Sequence, residues 1–201
     1  MTDLTKVIHE LVGLFDRLQL PYAIMGGIAA RAHGLPRPTF DVDFVVAVPR
    51  ERLADLFAAI ESLGFTVPEQ YRGGWIDSVG GMPLFKVRLF LEDRGIDADI
   101  FIAENEFQAS VMSRRIAEEV EGKPVRLVTA EDLILFKLLA GRPRDLLDIK
   151  DILFMQGQLD EAYMRRWAMP LGVAGQREPG WLRHDHADRY RIPRCRCGCI
   201  A

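Results

Sequence analysis

The spacing of apolar residues changes between helical and strand periods along the chain, and these changes predict its elements. The first third of the sequence predicts helix 4–18, strand 22–25, a short helix 27–33, strand 42–48 and helix 50–62. The last of these helices is amphipathic and ends at Gly64, so we expect it to cover one face of a sheet. Its apolar face consists of Leu53, Leu56, Phe57 and Ile60.

The remaining sequence predicts two longer strands and a helical end. Residues 84–91 alternate well enough to pair with the following strand, 96–102, and residues 124–128 form a further short strand. Helices are predicted from residue 129 onward, including one from Arg144 to Phe154. This order indicates an α/β (α+β) fold, a mixed sheet flanked by helices and followed by a C-terminal helical part. We expect a main domain over 1–128, the helical part over 129–173 and an irregular, disordered tail over 174–201.

Length and composition indicate a globular protein with one substantial core. The chain has 201 residues, 49% of them hydrophobic, and a formal net charge of −3. No apolar run approaches the roughly 18 residues of a membrane span, and the N-terminus lacks a signal-peptide pattern. We therefore expect a cytoplasmic protein with no membrane partner. The small net charge argues against broad nonspecific binding to a nucleic acid duplex, although local basic stretches occur at 114–115 and 142–144.

The tail departs from the pattern of the rest of the chain. After Val173 no apolar period supports a helix, and the three cysteines lie together over 195–199. With His184 and His186 they suggest a zinc site, but their Cys-x-Cys-x-Cys spacing differs from the usual gap of about two to four residues. A shifted reading frame or a disordered extension explains such a tail better, and we assign it no function.

A pair of glycines lies where the first predicted strand ends. Gly26 and Gly27 follow the apolar run 22–25 and precede an alanine-rich helical turn. Backbone N–H groups at such a helix start face an anion that binds there, and glycine lets the anion come close to the backbone. The pair therefore predicts a phosphate-binding turn.

Two aspartates follow at the start of the next predicted strand. Asp41 and Asp43 lie two residues apart, so their side chains point to the same face of the strand. Mg²⁺ is commonly held by one or two carboxylates together with water and substrate phosphates. An Asp-x-Asp also occurs on exposed turns without a metal, but the preceding glycine turn favours a metal site here.

A third carboxylate is expected from the predicted strand 96–102, which carries Asp97 and Asp99. The two share a face by parity, but Asp99 lies between Ala98 and Ile100 inside the strand, whereas Asp97 lies nearer the preceding turn. We assign Asp99 as the third metal ligand. The alternative for Asp97 is a solvent-exposed residue at the strand end or a residue that orients a ligand.

A further group of charged residues lies at the predicted boundary between two helices. Thr129 is the expected N-cap of the first helix, with Asp132 as an acidic capping-box residue, and Lys137 borders its buried stripe. In that position Lys137 can extend along the apolar surface toward a phosphate.

Gly141 and Pro143 separate this helix from the next one, on which Asp145 and Asp148 share a face. Two compatible interpretations remain open. Lys137, Arg142, Asp145 and Asp148 take part in a functional site, or the four residues form a salt-bridged corner between helices.

The segment between the glycines and the aspartates holds three more candidates. Arg37 and Thr39 form an Arg-x-Thr-x-Asp-x-Asp pattern with Asp41 and Asp43, and a guanidinium group suits a triphosphate. Thr39 also fits a role in fixing the turn that presents Asp41. His33 ends a short helix before a glycine, so we interpret it as a structural, capping residue.

The glycine pair, the Asp-x-Asp and the later single Asp together resemble the nucleotidyltransferase superfamily with the DNA polymerase β-type fold. The resemblance implies an NTP substrate whose phosphates lie on the glycine turn, and two Mg²⁺ or Mn²⁺ ions held by three carboxylates. It implies Asp41, Asp43, Asp99 and Lys137 as catalytic residues, and residues 1–128 as the catalytic domain. The expected reaction transfers a nucleoside monophosphate from ATP or another NTP to a hydroxyl, with release of pyrophosphate.

Within the superfamily, residues 131–149 resemble AbiEii-type abortive-infection toxins and their small relatives. Those proteins carry a Lys, an Arg and then Asp-x-x-Asp, which fall here on Lys137, Arg142, Asp145 and Asp148. The resemblance implies that Lys137, Arg142 and Asp145 contribute to nucleotide binding or activity. The resemblance implies the toxin of a toxin–antitoxin pair, with tRNA or protein as acceptor and an antitoxin as partner. Two alternatives stay open: a catalytically weak nucleotide-binding regulatory module, and an antibiotic-type small-molecule adenylyltransferase.

Overall fold

One mixed β-sheet organises the protein, of which this computed structural model describes residues 2–35 and 38–173. Eight strands lie within these residues: β1 Tyr22–Met25, β2 Asp41–Val46, β3 Phe65–Thr66, β4 Asp77–Val79, β5 Met82–Leu91, β6 Arg94–Ile102, β7 Ile116–Val120 and β8 Lys123–Leu127. Their order across the sheet is β3, β5, β6, β2, β1, β8, β7, with β4 also paired to β5. The β2–β6 and β1–β8 pairs are parallel, and the other neighbours are antiparallel.

Helices lie on both faces of this sheet. Those within the described residues are α1 Asp3–Arg17, α2 Gly26–Ala32, α3 Leu53–Ser62, α4 Glu69–Arg72, α5 Glu106–Arg114, α6 Ala130–Ala140, α7 Pro143–Met155 and α8 Glu161–Ala168. A short 3-10 turn, Arg50–Arg52, leads into α3. The predicted mixed sheet flanked by helices is therefore confirmed.

The alternation of side chains along the central strands divides the core into two clusters. Val42, Phe44 and Val46 of β2 pack with α1 and α3, whereas Val45 faces the opposite side. On that opposite side Val45 packs with Leu133 and other residues of α6, α7 and α8. Asp41 and Asp43 have the same parity as Val45, so the strand that fills the core on one face carries its carboxylates on the other.

The second cluster joins the two parts of the predicted domain division. It contains Met25 and Phe101 from the sheet together with Leu133, Phe136 and Trp167 from the C-terminal helices. The boundary predicted between residues 128 and 129 stays a prediction, but the helices after it share a hydrophobic core with the sheet. The predicted tail over 174–201 lies outside the described residues.

Several short elements were not predicted. They are β3, α4, β4, α5, β7 and α8. The predicted strands and helices agree with the observed ones to within a few residues, apart from the 3-10 turn at the start of α3. No helix among the described residues is long and apolar enough to cross a membrane.

Candidate active site

A cleft between the sheet and α6 brings together most of the residues predicted from the sequence. Its polar lining comes from Gly26, Gly27, Asp41, Asp43, Asp99, Lys137, Arg142, Arg144 and Asp145. Its apolar lining comes from Met25, Val79, Met82, Phe101, Leu133, Phe136 and Ala140. Three carboxylates thus lie on the sheet side of the cleft, and cationic side chains lie on the helical side.

The pairing of β2 with β6 places the carboxylates. Asp43 is directly opposite Asp99 and Asp41 is directly opposite Asp97 in this parallel pair, and neighbouring strands lie about 4.8 Å apart. Because all four positions have the same parity, their side chains are on the face that carries α6. The strand pairing therefore creates two pairs of facing aspartates on this face of the sheet.

Asp97 and Asp99 have different surroundings. Arg88 donates two hydrogen bonds to Asp97, from Nε at 2.5 Å and from Nη2 at 2.8 Å, and this pair holds the pKa of Asp97 below its usual range. Asp97 is half exposed and is not part of the cleft lining, whereas Asp99 lines the cleft. The structure therefore places Asp99, rather than Asp97, beside Asp43 in the cleft.

Gly26 is in direct contact with Asp43. Its φ is +63°, and a Cβ built at Gly26 would lie 1.8 Å from Asp43 Oδ2, 2.6 Å from its Cγ and 2.9 Å from its Cβ. Only glycine fits both this backbone conformation and this contact. The first glycine of the pair therefore makes room for a cleft carboxylate, in addition to any role that it has for a phosphate.

The electrostatics of Asp43 reflect its position between other carboxylates. Its pKa is raised to about 7, because the group is desolvated and because Asp41 and Asp99 repel its negative charge; Lys137 and Lys86 oppose the rise. A cation bound nearby would stabilise the ionised form of this carboxyl group.

Asp41 lies at the exposed edge of the cleft. Thr39 Oγ1 donates to Asp41 Oδ1 at 3.1 Å and lies 3.3 Å from its carbonyl oxygen. This contact agrees with the interpretation that Thr39 fixes the turn that presents Asp41, while its predicted nucleotide contact stays a prediction. Arg37 lies outside the described residues.

Lys86 is a site residue that the sequence analysis missed. It is opposite Asp99 in the antiparallel β5–β6 pair, and its Nζ donates to Asp99 Oδ2 at 2.7 Å. Alternation along 84–91 places Lys86 on one face of its strand, but only the pairing of β5 with β6 shows that the face contains Asp99.

The corner between α6 and α7 contains a buried ion-pair cluster. Lys137 is 4% exposed, and its Nζ lies 2.5 Å from Asp148 Oδ2 and 3.3 Å from Asp145 Oδ1. Asp145 Oδ2 is buried and has no hydrogen-bond partner among the described residues. Three of the four residues predicted for a salt-bridged corner, Lys137, Asp145 and Asp148, therefore form it, and Lys137 and Asp145 also line the cleft.

Two arginines lie at the rim of the same corner. Arg142 is the N-cap residue of α7, and Arg144 follows in its first turn; both are exposed and line the cleft. Arg144 was noted from the sequence only as part of a basic stretch. His33, by contrast, is buried outside the cleft and its Nε2 lies 2.9 Å from the carbonyl oxygen of Val128, in agreement with a structural role.

The three cleft carboxylates are chemically suited to bind a divalent cation, but their oxygens are not gathered around one point in this structure. Within the described residues, no group of three or more His, Cys, Asp or Glu side chains is arranged so that it could hold a metal ion. In this arrangement Asp99 accepts a hydrogen bond from Lys86 and Asp41 accepts one from Thr39. All the available donors are carboxylate oxygens, which Mg²⁺ and Mn²⁺ prefer, and a bound substrate commonly supplies the remaining ligands.

Comparisons with known proteins identify the fold. No protein-family model and no curated protein matches the chain. An antigenic nucleotidyltransferase-like protein from Paracoccidioides brasiliensis matches in structure with a TM-score of 0.52 and 22% sequence identity, over 91% of this chain and 97% of that one.

A second match is the antibiotic-resistance factor ANT(2'')-Ia. Its solution structure has a TM-score of 0.51 and 20% identity, over 83% of this chain and 94% of that one. Its crystal structure in complex with adenylyl-2''-tobramycin has a TM-score of 0.50 and 17% identity, over 85% and 98% of the two chains. The chain therefore has the fold of nucleotidyltransferase-like proteins, as its sequence predicts.

Proposed function

We propose that the protein is a metal-dependent nucleotidyltransferase that transfers a nucleoside monophosphate from an NTP to an acceptor hydroxyl. The observation that carries this proposal is the position of Asp41, Asp43 and Asp99 on one side of a cleft that has Lys137 on the other. The nucleotidyltransferase-like fold of the chain supports it.

The cleft offers contacts for each part of a bound NTP. Gly26 and Gly27 start α2 without a side-chain cap, so their backbone is available to a phosphate. Lys137 and Arg142 supply positive charge from the opposite side, and Arg37 and Thr39 are proposed to add to it. Asp145 lines the same cleft, and its carboxylate is proposed to accept a hydrogen bond from a nucleotide hydroxyl.

The proposed reaction is an in-line displacement at the α-phosphorus. The acceptor oxygen forms a bond to the α-phosphorus, the bond from that phosphorus to the bridging oxygen breaks, and pyrophosphate leaves with the electron pair. Asp99 orients the acceptor hydroxyl and takes up its proton. Asp41, Asp43 and Asp99 would hold Mg²⁺ or Mn²⁺, which when bound supplies positive charge to the attacking and leaving oxygens.

The biological role is proposed from the resemblance to AbiEii-type toxins. Lys137, Arg142, Asp145 and Asp148 match the motif of that group, and all but Asp148 line the cleft. On this basis the protein is the toxin of a toxin–antitoxin pair, with tRNA or a protein as acceptor and an antitoxin as its partner.

A second candidate is a small-molecule adenylyltransferase, which the structural likeness to ANT(2'')-Ia favours. It would use the same carboxylates and differ in the acceptor. A third, a catalytically weak regulatory module, would bind NTP and a divalent cation without forming product.

Transfer of label from α-³²P NTPs tests the proposal. Each NTP is incubated with Mg²⁺ or Mn²⁺ and with total tRNA, the protein itself or a small-molecule extract, and products are separated by acceptor class. We expect transfer by the wild type and a loss of at least about a hundredfold in Asp43→Asn and Asp99→Asn, because each removes a metal ligand.

Asp97→Asn is the matched control, because Asp97 has the same strand and the same face as Asp99 but lies outside the cleft. We expect this variant to keep most of the wild-type rate. Equal losses in Asp97→Asn and Asp99→Asn would contradict the assignment of the third ligand. NTP binding without transfer to any acceptor would favour the regulatory module.

A further inference from the structure

The ammonium group of Lys86 contacts a carboxylate oxygen of Asp99, the group that is proposed to bind a metal ion. Lys86 Nζ lies 2.7 Å from Asp99 Oδ2, in a cross-strand pair between β5 and β6. The Asp99 side chain is 17% exposed and that of Lys86 is 50% exposed, so a largely buried carboxylate has a solvent-accessible lysine as its partner. A divalent cation that is to use this oxygen must compete with the ammonium.

A neighbouring ion pair on the same strands shows that such a contact can simply join two strands at the surface. Arg88 and Asp97 face each other two residues further along the same two strands, on the same face of the sheet. Their side chains are 51% and 46% exposed. This second pair lies outside the cleft and joins two strands at the surface, where an ion pair contributes about 0 to 1 kcal/mol. Lys86 differs from Arg88 because its partner is a carboxylate of the cleft.

The chemistry of the two cations also differs in a way that suits exchange. Arg88 binds Asp97 through two nitrogens in a fixed planar geometry, whereas Lys86 binds Asp99 through one ammonium on a flexible stem. With half of its surface in solvent, Lys86 can move its charge into water without breaking the strand pairing, which the backbone maintains. The lysine is therefore the cation of the two that can be displaced easily.

We infer that Lys86 is an internal counter-ion of Asp99 that the divalent cation must displace, so that Lys86 sets the cation concentration at which the site fills. The inference rests on the proposed function. In the metal-free protein Lys86 neutralises one of the three carboxylates and holds Asp99 toward β5. When the ammonium leaves, Asp99 is free to turn toward Asp43 and to receive the acceptor proton.

Charge counting gives the size of the effect. The cleft carboxylates Asp41, Asp43 and Asp99 carry three formal negative charges when ionised. Lys86 offsets one of them through its direct contact with Asp99, whereas the charge of Lys137 is shared with Asp145 and Asp148. Because the lysine stem stays anchored on β5, the displaced ammonium remains near the bound ion. A single charge about 5 Å from a divalent ion, in a largely aqueous dielectric, changes its affinity by roughly five- to thirtyfold. Removing the charge of Lys86 should therefore tighten metal binding by about this factor.

Direct titration of the full-length protein with Mn²⁺, followed by the EPR signal of free Mn²⁺ and without nucleotide, tests the inference. We expect Lys86→Met to bind Mn²⁺ roughly five- to thirtyfold more tightly than the wild type. Lys86→Arg keeps the charge and should bind no more tightly than the wild type. Arg88→Met is the matched control and should leave the affinity unchanged within about twofold. Lys86→Gln provides a second neutral variant if Lys86→Met fails to fold.

Tighter binding is not a result that general structural damage produces, which separates this role from a purely structural one. If the wild type binds Mn²⁺ and Asp43→Asn abolishes that binding, but neither neutral variant binds more tightly, the counter-ion role is refuted while the proposed function stands. If Arg88→Met tightens binding as much as Lys86→Met, the effect belongs to overall charge and the inference is also refuted. Absence of Mn²⁺ binding in the wild type and in both neutral variants would refute the inference, and the label-transfer assay would then decide the proposed function separately.

Discussion

Replacing Gly26 by alanine tests the contact on which the geometry of the cleft depends. The added methyl group would overlap Asp43 Oδ2 at 1.8 Å and Cγ at 2.6 Å. Rotation of the Asp43 side chain can relieve these two contacts, but the 2.9 Å distance to Asp43 Cβ would persist. The strand and the start of α2 must then separate by a few tenths of an ångström, and the carboxylate must leave its place in the cleft.

Two free-energy costs are expected. The backbone at Gly26 has a φ of +63°, which costs an alanine roughly 1 to 2 kcal/mol. The steric overlap adds about 1 to 3 kcal/mol, as inserted methyl groups do in packed sites. Gly122→Ala is the control for the first cost, because Gly122 has a φ of +81° and a Cβ added there would meet no atom within 4 Å.

Urea unfolding in metal-free buffer and label transfer in the presence of Mg²⁺ provide the two readouts. We expect Gly26→Ala to lose about 1 to 3 kcal/mol more stability than Gly122→Ala. Its transfer rate should fall by about a hundredfold, which is the order of loss for a misplaced catalytic group, while Gly122→Ala keeps the wild-type rate.

A double-mutant cycle identifies the cause. In Gly26→Ala combined with Asp43→Gly, all three overlapping atoms of Asp43 are absent, so the free energies of the single changes should fail to add by about 1 to 3 kcal/mol in the stabilising direction. Additive free energies, or a Gly26→Ala variant that is as stable and as active as Gly122→Ala, would refute this account of the glycine.

Three further predictions concern buried charges. The pKa of Asp43 in the folded protein, about 7, exceeds its ordinary value of 3.8, so the stability of the metal-free protein should fall as the pH rises from about 4 to 7. Asp43→Asn should remove this fall and be more stable than the wild type by up to about 4 kcal/mol at pH 8. An equal pH dependence of thermal unfolding in both proteins would contradict this prediction. Lys137→Met should cost about 3 to 5 kcal/mol in urea unfolding, because it leaves Asp145 and Asp148 without their shared cation; a cost below about 1 kcal/mol would show that the cluster is not coupled. Tyr163→Phe should cost about 1 to 3 kcal/mol in the same assay, because the hydroxyl donates to the fully buried Asp132 at 2.6 Å, whereas its label transfer rate should not change.

Much of the site was predictable because strand parity is a local property. The two-residue spacing of Asp41 and Asp43 fixes their common face once a strand is recognised, and the glycine pair marks the end of the preceding strand. Thr129 is likewise the N-cap of α6 and accepts from the backbone N–H of Asp132 at 3.2 Å, as predicted. The expected capping box differs in detail, since the Asp132 side chain accepts from Tyr163 and from the Thr129 hydroxyl.

Relations between distant strands were not predictable in the same way. Parity gave Asp97 and Asp99 the same face, and only the parallel register of β2 with β6 shows that Asp99 is level with Asp43. Sequence spacing does not determine this register, because a long connection joins the two strands. The register of β5 with β6 is instead set by the short turn between Leu91 and Arg94, so the pairing of Lys86 with Asp99 could have been predicted from the sequence.

The missed elements had weaker signals or signals that were not used. Helix α5 starts with a capping box in which Asn105 accepts from the backbone of Gln108, and this Asn-x-x-Gln spacing is visible in the sequence. Strand β7 is short and largely exposed, so it lacks the apolar alternation that identifies a strand. Its position is set by pairing with β8 at the edge of the sheet.

The most direct test of the central claim follows the α- and γ-phosphates of the NTP separately under the same conditions. Parallel assays with α-³²P and γ-³²P NTP, Mg²⁺ and the acceptor that gives product should place the α label on the acceptor and the γ label in pyrophosphate. Asp43→Asn should abolish both products, and Asp97→Asn should retain them. Transfer of the γ label to the acceptor, or its release as orthophosphate, would contradict nucleotidyl transfer by this site.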